Sequence, residues 1–128
     1  MDEARSPQEV GEFAQYSVLV VEDTDDWLKM HIRGFKRLGA NVLGVGSVDE
    51  AVEAFENGKF THVVSDGLEG AFKDVVSAAQ NAGVKDIFVV SGDFMLKKEV
   101  ADVGAKFIDK TDVSLGEIGY EELLNLNE

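Results

Sequence analysis

The chain has 128 residues and a formal net charge of −13, from 25 acidic and 12 basic side chains. Its length suits one domain, and its 45 % of hydrophobic residues is typical of a globular protein with a core of its own. The absence of cysteine excludes a disulfide framework and a thiolate metal site, and the acidic excess argues against direct binding to nucleic acid or an anionic membrane.

Residues 1–15 are acidic and polar and are predicted to form an N-terminal leader, with a short helix over residues 8–13. The leader contains no apolar run long enough for a signal peptide or a membrane span. Residues 16–128 are predicted to form one domain. We therefore expect a cytoplasmic protein that is a monomer or a weak dimer.

Five short apolar runs rich in β-branched residues follow the leader. Such continuous runs are typical of strands that are buried on both faces of a parallel sheet. The predicted strands cover residues 17–21, 41–45, 61–64, 86–90 and 105–108.

Segments with helical periodicity alternate with these strands. Apolar residues recur at the three- and four-residue spacing of an amphipathic helix. They predict helices over residues 24–38, 48–55, 72–79 and 96–103, and a fifth around Leu123 and Leu124. Five βα units joined by short links predict an α/β fold with a doubly wound parallel sheet.

Capping signals agree with these helix positions. Ser47 with Glu50, and Ser114 with Glu117, match the capping box that begins a helix. A glycine is expected in the left-handed conformation at the end of each of the first four helices. These glycines are Gly39, Gly58, Gly83 and Gly104.

Polar residues stand where the predicted strands end. In open parallel sheets, ligands bind outside the carboxyl ends of the strands, so these side chains are expected to converge. They are Glu22, Asp23, Asp66, Ser91, Asp109 and Lys110.

This group has the chemistry needed to accept a phosphoryl group. Crowded carboxylates are stabilised by a cation, and Mg²⁺ prefers such hard oxygen ligands. Lys110 can pair with Asp66 and then with a transferred phosphoryl group, to which Ser91 can donate a hydrogen bond. Phosphoryl transfer needs mostly positioning and charge neutralisation, and a carboxylate can act as the nucleophile.

Four segments of the chain resemble response-regulator receiver domains of the CheY-like family. Residues 18–23 are similar to the family's first strand and acidic pair, and residues 63–66 to its phosphoacceptor strand. Residues 88–92 resemble its Ser/Thr strand, and residues 103–110 its Gly-Ala turn, switch aromatic and lysine. The resemblance spans about residues 17–126 and implies a five-stranded sheet in the order 2-1-3-4-5, flanked by five helices.

The resemblance also implies a role for each matching residue. Asp66 would accept the phosphoryl group, which Ser91 and Lys110 would hold. Phe107 would be the switch aromatic. The Mg²⁺ ligands would be Glu22, Asp23, Asp66 and the backbone carbonyl of Leu68.

The implied function is that of a stand-alone receiver rather than an enzyme. A histidine kinase or phosphotransfer protein would donate the phosphoryl group. An unknown downstream protein would bind the face from Phe94 to Leu126.

Two departures from the family pattern leave alternatives open. Gly-Leu-Glu-Gly occupies residues 67–70, where the family usually has Met-Pro, and Thr111 stands where it usually has proline. One alternative is a non-phosphorylated pseudo-receiver that serves as a binding module. A less favoured one is a small phosphatase resembling the haloacid-dehalogenase family, because Asp23-Thr24-Asp25 imitates that family's D-x-D motif.

Three aromatic side chains are predicted to have structural roles. His31 falls within the apolar arc of the first helix and is expected in the core, whereas His62 is expected to be partly exposed. Neither has the spacing of a zinc ligand. Trp27 is expected only to cover the edge of the sheet.

Overall fold

A computed structural model describes residues 13–114 and 119–125. A five-stranded sheet forms its centre, with every neighbouring pair of strands parallel. The order is β2-β1-β3-β4-β5, which confirms the predicted topology. The strands are β1 (Ser17–Val21), β2 (Asn41–Val45), β3 (His62–Asp66), β4 (Asp86–Ser91) and β5 (Lys106–Asp109).

Six helices with both ends described, rather than the predicted five, are present in the described part of the chain, and Phe13 and Ala14 are also helical. The six helices are α1 (Asp25–Arg37), α2 (Val48–Asn57), α3 (Phe72–Asn81), α4 (Lys97–Asp102), α5 (Lys110–Ser114) and α6 (Tyr120–Asn125). Short 3₁₀ turns at Leu68–Gly70 and Phe94–Leu96 precede α3 and α4. None of the helices described has both the length and the apolar character needed to cross a membrane.

The helix that the sequence did not predict is α5. It begins directly after β5, where the side chain of Asp109 accepts a hydrogen bond from the Thr111 N–H at 2.8 Å. A carboxylate that caps a free N–H in this way favours the first turn of a helix.

The sheet has a separate apolar core on each face. One core contains Leu19, Val63 and Val89 with the inner sides of α2, α3 and α4. The other contains Val20, Val64, Phe88 and Val90, with residues of α1 and α6. Alternate strand residues point to opposite faces, so two cores require the continuous apolar runs seen in the sequence.

The second core extends into the segment that was predicted as the leader. Phe13 is buried there, and its ring lies 6.0 Å from that of Tyr16 in an edge-on arrangement. The other residues predicted for the leader helix lie outside the described residues.

Most of the predicted helix caps are confirmed. Ser47 Oγ accepts the Glu50 N–H at 3.2 Å and donates to Glu50 Oε1 at 3.2 Å. The left-handed glycines Gly39, Gly83 and Gly104 have φ angles of 90°, 87° and 87°. The prediction for Gly58 was wrong, because the chain leaves α2 in an extended conformation there (φ −158°). The second capping box depends on Glu117, which lies outside the described residues.

Candidate functional site

The candidate site lies at the carboxyl edge of the sheet. Val21 pairs with Ser65, and Asp66 pairs with Val90, so Glu22 follows β1 beside the end of β3. Ser91 is in turn opposite Asp109, directly before Lys110. Parallel pairing therefore brings the strand-end residues predicted from the sequence to one edge.

Three carboxylates converge at this edge. Glu22, Asp23 and Asp66 each place one oxygen within 4.8 Å of the others. Glu22 is 1 % exposed, whereas the side chain of Asp66 is 16 % exposed and Asp23 is open to solvent. The cluster thus runs from the buried end of β1 outward to the surface.

Lys110 joins two of these carboxylates. Its Nζ lies 3.0 Å from Asp66 Oδ1 and 3.1 Å from Glu22 Oε1. Burial acts to lower the pKa of Lys110, but the hydrogen bond to Asp66 and the negative charges of Asp66 and Glu22 outweigh it and raise that pKa. The side chain is therefore a fixed ammonium ion at neutral pH.

Glu22 is the most constrained member of the cluster. Burial and the charge of Asp66 raise its pKa, while the Thr24 N–H, which donates to Oε2 at 3.1 Å, and Lys110 oppose that rise. Oε1 is at ion-pair distance from Lys110 but has no hydrogen bond of good geometry among the described residues. An additional cation would offset this remaining negative charge.

The oxygen donors of the cluster fit a small divalent cation. Carboxylates are the hard ligands that such ions prefer, and neighbouring carboxylates are costly to ionise without one. The carbonyl of Leu68, the fourth predicted ligand, already accepts the Ala71 N–H at 3.0 Å. It keeps a second lone pair, and its part in a metal site stays a prediction.

The loop after Asp66 is tight and strained. The Leu68 N–H donates to Asp66 Oδ2 at 3.3 Å, and Leu68 and Glu69 both have left-handed backbones, with φ angles of 50° and 54°. Side chains disfavour this conformation by about 1–2 kcal/mol per residue. The rest of the fold therefore keeps these two residues in an unfavourable backbone conformation directly beside the Asp66 carboxylate.

Ser91 lies against the same loop. It is buried, and its Oγ accepts the Asp93 N–H at 3.0 Å. A Cβ atom added to Gly67 would lie 3.2 Å from this Oγ. The hydroxyl is therefore next to the backbone that follows Asp66, with its own hydrogen to donate.

Phe107, the predicted switch aromatic, is half-buried on β5. Its ring packs edge-on against that of Phe94, with centroids 6.1 Å apart. Phe94 itself is 61 % exposed. The two rings connect the core to the surface, and the switch role stays a prediction.

The sequence interpretation missed the part that α1 plays at the site. The Trp27 ring lies under the ammonium group of Lys110, with its centroid 4.5 Å from Nζ. His31 is buried as predicted, but its Nε2 is also 4.0 Å from Glu22 Oε1. Their four-residue spacing, which puts both on one helix face behind the acidic pair, was the available signal.

A tyrosine of α6 contacts the face of α1 that carries Trp27 and His31. Tyr120 Oη and His31 Nδ1 are 2.9 Å apart in a hydrogen bond. Burial, and then the charge of Lys110, lower the pKa of His31 to about 4, and burial raises the pKa of Tyr120 to about 12. Both groups are therefore neutral at physiological pH.

The prediction for His62 was wrong, because this side chain is buried. It lies at the start of β3, at the opposite end of the sheet from the site. Its Nε2 is 3.3 Å from the Leu124 carbonyl of α6, and its Nδ1 is 2.8 Å from Thr61 Oγ1. The sequence could not show that α6 covers this position.

Neither a family model nor a curated protein matches this sequence. Solved structures do match its fold. The Mg²⁺- and BeF₃⁻-complexed receiver domain of the histidine kinase CKI1 from Arabidopsis thaliana is 21 % identical, with a TM-score of 0.67 over 93 % of this chain and 96 % of that one. A Burkholderia pseudomallei response regulator, with a phosphorylated aspartic acid, a calcium ion and citrate, is 18 % identical (TM-score 0.68, 88 % of this chain and 71 % of that one).

The fold is therefore that of the response-regulator receiver domains. A designed Rossmann 2x3 protein also matches, at 11 % identity and a TM-score of 0.68 over 88 % of this chain and 91 % of that one. Unrelated functions share such folds, so function has to be argued from the site.

Proposed function

We propose that this chain is a receiver domain that accepts a phosphoryl group on Asp66 from the phosphohistidine of a histidine kinase or phosphotransfer protein. The observation that carries the proposal is the contact of 3.0 Å between Asp66 Oδ1 and Lys110 Nζ, beside the carboxylates of Glu22 and Asp23. The phosphorylated aspartic acid of the Burkholderia protein and the Mg²⁺ and BeF₃⁻ of the CKI1 domain support it by analogy.

In the proposed reaction, a carboxylate oxygen of Asp66 attacks the phosphorus atom. An O–P bond forms, the N–P bond breaks, and the donor imidazole leaves with the bonding electron pair. The Lys110 ammonium group offsets negative charge on the phosphoryl oxygens, and the Ser91 hydroxyl donates a hydrogen bond to one of them.

The metal in this proposal is Mg²⁺. Glu22, Asp23, Asp66 and the Leu68 carbonyl would hold the ion, which supplies positive charge beside the phosphoryl oxygens. The fold of the chain positions the acceptor, Asp66, and the charged groups around it.

The proposed output is a protein contact on the face from Phe94 to Leu126, with Phe107 as the switch. Phe94 and Met95 are 61 % and 84 % exposed on this face, and exposed apolar groups of this kind favour a protein partner. We propose that the chain is located in the cytoplasm, together with its kinase donor. Its proposed role is that of a switch rather than an enzyme.

The test is labelling with radioactive acetyl phosphate in the presence and absence of Mg²⁺. We expect Mg²⁺-dependent label that hydroxylamine releases, as it does from an acyl phosphate, and that is lost in Asp66→Asn. The control is Asp49→Asn, which neutralises an exposed carboxylate in the first turn of α2 and should keep the label. Absence of label from the wild type, or label that persists in Asp66→Asn, would refute the proposal.

The strained loop at Leu68 and Glu69 favours one competing function, a pseudo-receiver that binds partners without phosphorylation. This function predicts Mg²⁺ binding with no labelling by any phosphodonor. The phosphatase alternative gains no support, because it needs Asp25 in the site. Asp25 is 73 % exposed and pairs with Lys29 at 3.1 Å.

A further inference from the structure

Among the described residues, Trp27 is the one aromatic side chain whose ring face lies against the ammonium group of Lys110. Lys110 Nζ lies 4.5 Å from the centre of its ring, and Asp66 and Glu22 contact the same Nζ at 3.0 Å and 3.1 Å. A cation over an aromatic face is attracted by the ring's π electrons, most strongly by tryptophan. The ring and the two carboxylates together define the place of the ammonium group.

The Trp27 ring is itself held in place by α1 and α6. His31, one turn along α1, lies with its ring centre 5.6 Å from that of Trp27. His31 is buried and hydrogen-bonded to Tyr120, whose ring packs edge-on against Phe35 with centroids 4.8 Å apart. Trp27 thus lies against a packed wall.

We propose that Trp27 is a positioning residue that holds the Lys110 ammonium group against Asp66. The inference rests on the proposed phosphoacceptor function and adds a residue to its machinery. A lysine side chain is a flexible stem with a strongly hydrated head, so its charge is useful at a fixed place only when other groups restrain it. The indole face does so without competing for the carboxylate oxygens.

The alternative is that Trp27 only fills apolar space at the sheet edge. Two substitutions separate these roles. Trp27→Leu keeps an apolar side chain and removes the π face, whereas Trp27→Phe keeps a smaller π face. A packing role predicts similar behaviour for both variants, and a positioning role predicts that phenylalanine restores part of what leucine loses.

The direct measurement is the NMR signal of the lysine ε-methylene groups. We expect Lys110 in the wild type to be shifted upfield by the ring current of Trp27, to return to the ordinary lysine position in Trp27→Leu, and to be intermediate in Trp27→Phe. Lys97, whose Nζ lies 5.3 Å from the ring centre of Phe94, is an internal control that should not change. An unshifted Lys110 in the wild type would overturn the proposal.

The second measurement is the rate of Mg²⁺-dependent labelling by acetyl phosphate. If the transition state loses a typical cation–π contact, the labelling rate of Trp27→Leu falls by about 2- to 30-fold. The loss in Trp27→Phe should be smaller. Equal rates in all three proteins would overturn the positioning role. A wild type that is never labelled refutes the phosphoacceptor function instead, and the NMR shift then decides the Trp27 contact alone.

A further measurement covers the case in which Trp27→Leu fails to fold. Trp27 is the chain's single tryptophan, so its fluorescence reports on its surroundings directly. We expect Lys110→Met to change the emission, and Lys98→Met, on the exposed side of α4, to leave it unchanged. Identical emission in wild type and Lys110→Met would count against the contact.

Discussion

At the scale of single residues, burial shifts the pKa values of His31 and Glu22 in the direction that favours the neutral form of each side chain. Burial lowers the pKa of His31 to about 4 and raises the pKa of Glu22. Lys110 faces both, adding to the decrease for His31 and opposing the increase for Glu22. His31 therefore stays neutral although its Nε2 lies 4.0 Å from the Glu22 carboxylate. It adds no positive charge to that of Lys110.

His31 makes stability depend on pH. The unfolded chain binds a proton at His31 below pH 6.5, and the folded protein only below about pH 4. Its contribution is therefore complete above pH 6.5 and is lost as the pH falls towards 4, by up to about 3 kcal/mol. Urea unfolding in EDTA should show a smaller acid loss for His31→Gln than for the wild type.

The comparison of the two proteins isolates this residue from the other ionisable groups that face it, Glu22, Asp66, Lys110 and Tyr120. Glu22 acts in the opposite sense, because its raised pKa makes protonation favour the folded state as the pH falls. Parallel pH profiles for wild type and His31→Gln would show that His31 does not titrate as inferred.

At the scale of elements, the β3–α3 loop decides how closely groups can approach Asp66. Gly67 is buried between the end of β3 and Ser91, and an added Cβ would lie 3.0 Å from Leu96 Cδ1 as well as 3.2 Å from Ser91 Oγ. Its backbone is ordinary, with a φ of −65°. Glycine is thus needed there for space rather than for conformational freedom.

Gly67→Ala should therefore disturb both the site and the packing around it. We expect the labelling rate to fall by about tenfold, as for a misplacement of reacting groups, with a loss in unfolding free energy of about 1–3 kcal/mol from overpacking. The matched control is Gly58→Ala at the end of α2, where the backbone is extended and an added Cβ has only ordinary contacts, at 3.8 Å or more. Equal labelling of the two variants would contradict the role assigned to Gly67.

At the scale of the whole molecule, the net charge of −13 makes the folded chain repel itself, and the carboxylate cluster adds to this repulsion at one edge. Salt reduces the general repulsion by screening. A bound divalent ion would do more, because it stabilises the folded state by mass action. The two effects can be separated at equal ionic strength.

We expect MgCl₂ to raise the melting temperature more than NaCl of the same ionic strength. At a Mg²⁺ concentration 100 times its Kd, the added stability is about 2.7 kcal/mol. Asp23→Asn should remove the surplus and keep the NaCl effect, whereas Asp49→Asn should keep both. Equal melting temperatures in the two salts would contradict a specific site.

Much of the fold could be predicted because it follows from local patterns. The apolar runs and the glycines Gly39, Gly83 and Gly104 are each readable within a few residues. The error at Gly58 arose because a helix can also end by extending directly towards the next strand. α5 was missed because its start depends on one contact between Asp109 and the N–H of Thr111.

The site was predictable to the extent that it lies at strand ends. Glu22, Asp23, Asp66, Ser91 and Lys110 lie at one edge because parallel strands share a direction, and the sequence shows where each strand ends. Trp27 and Tyr120 were missed because their places depend on how helices pack, which is set by contacts between distant parts of the chain.

The sequence alone thus determined the alternation of strands and helices along the chain, apart from α5, together with the acidic character and the residues at the sheet's carboxyl edge, since periodicity and strand direction are local properties. The tertiary structure decided how those residues meet: the bridge from Lys110 to Asp66 and Glu22, the ring of Trp27 beneath it, and the burial of His31 and His62. These features depend on contacts between distant segments, as when Tyr120 packs against α1, and no local pattern encodes such distances.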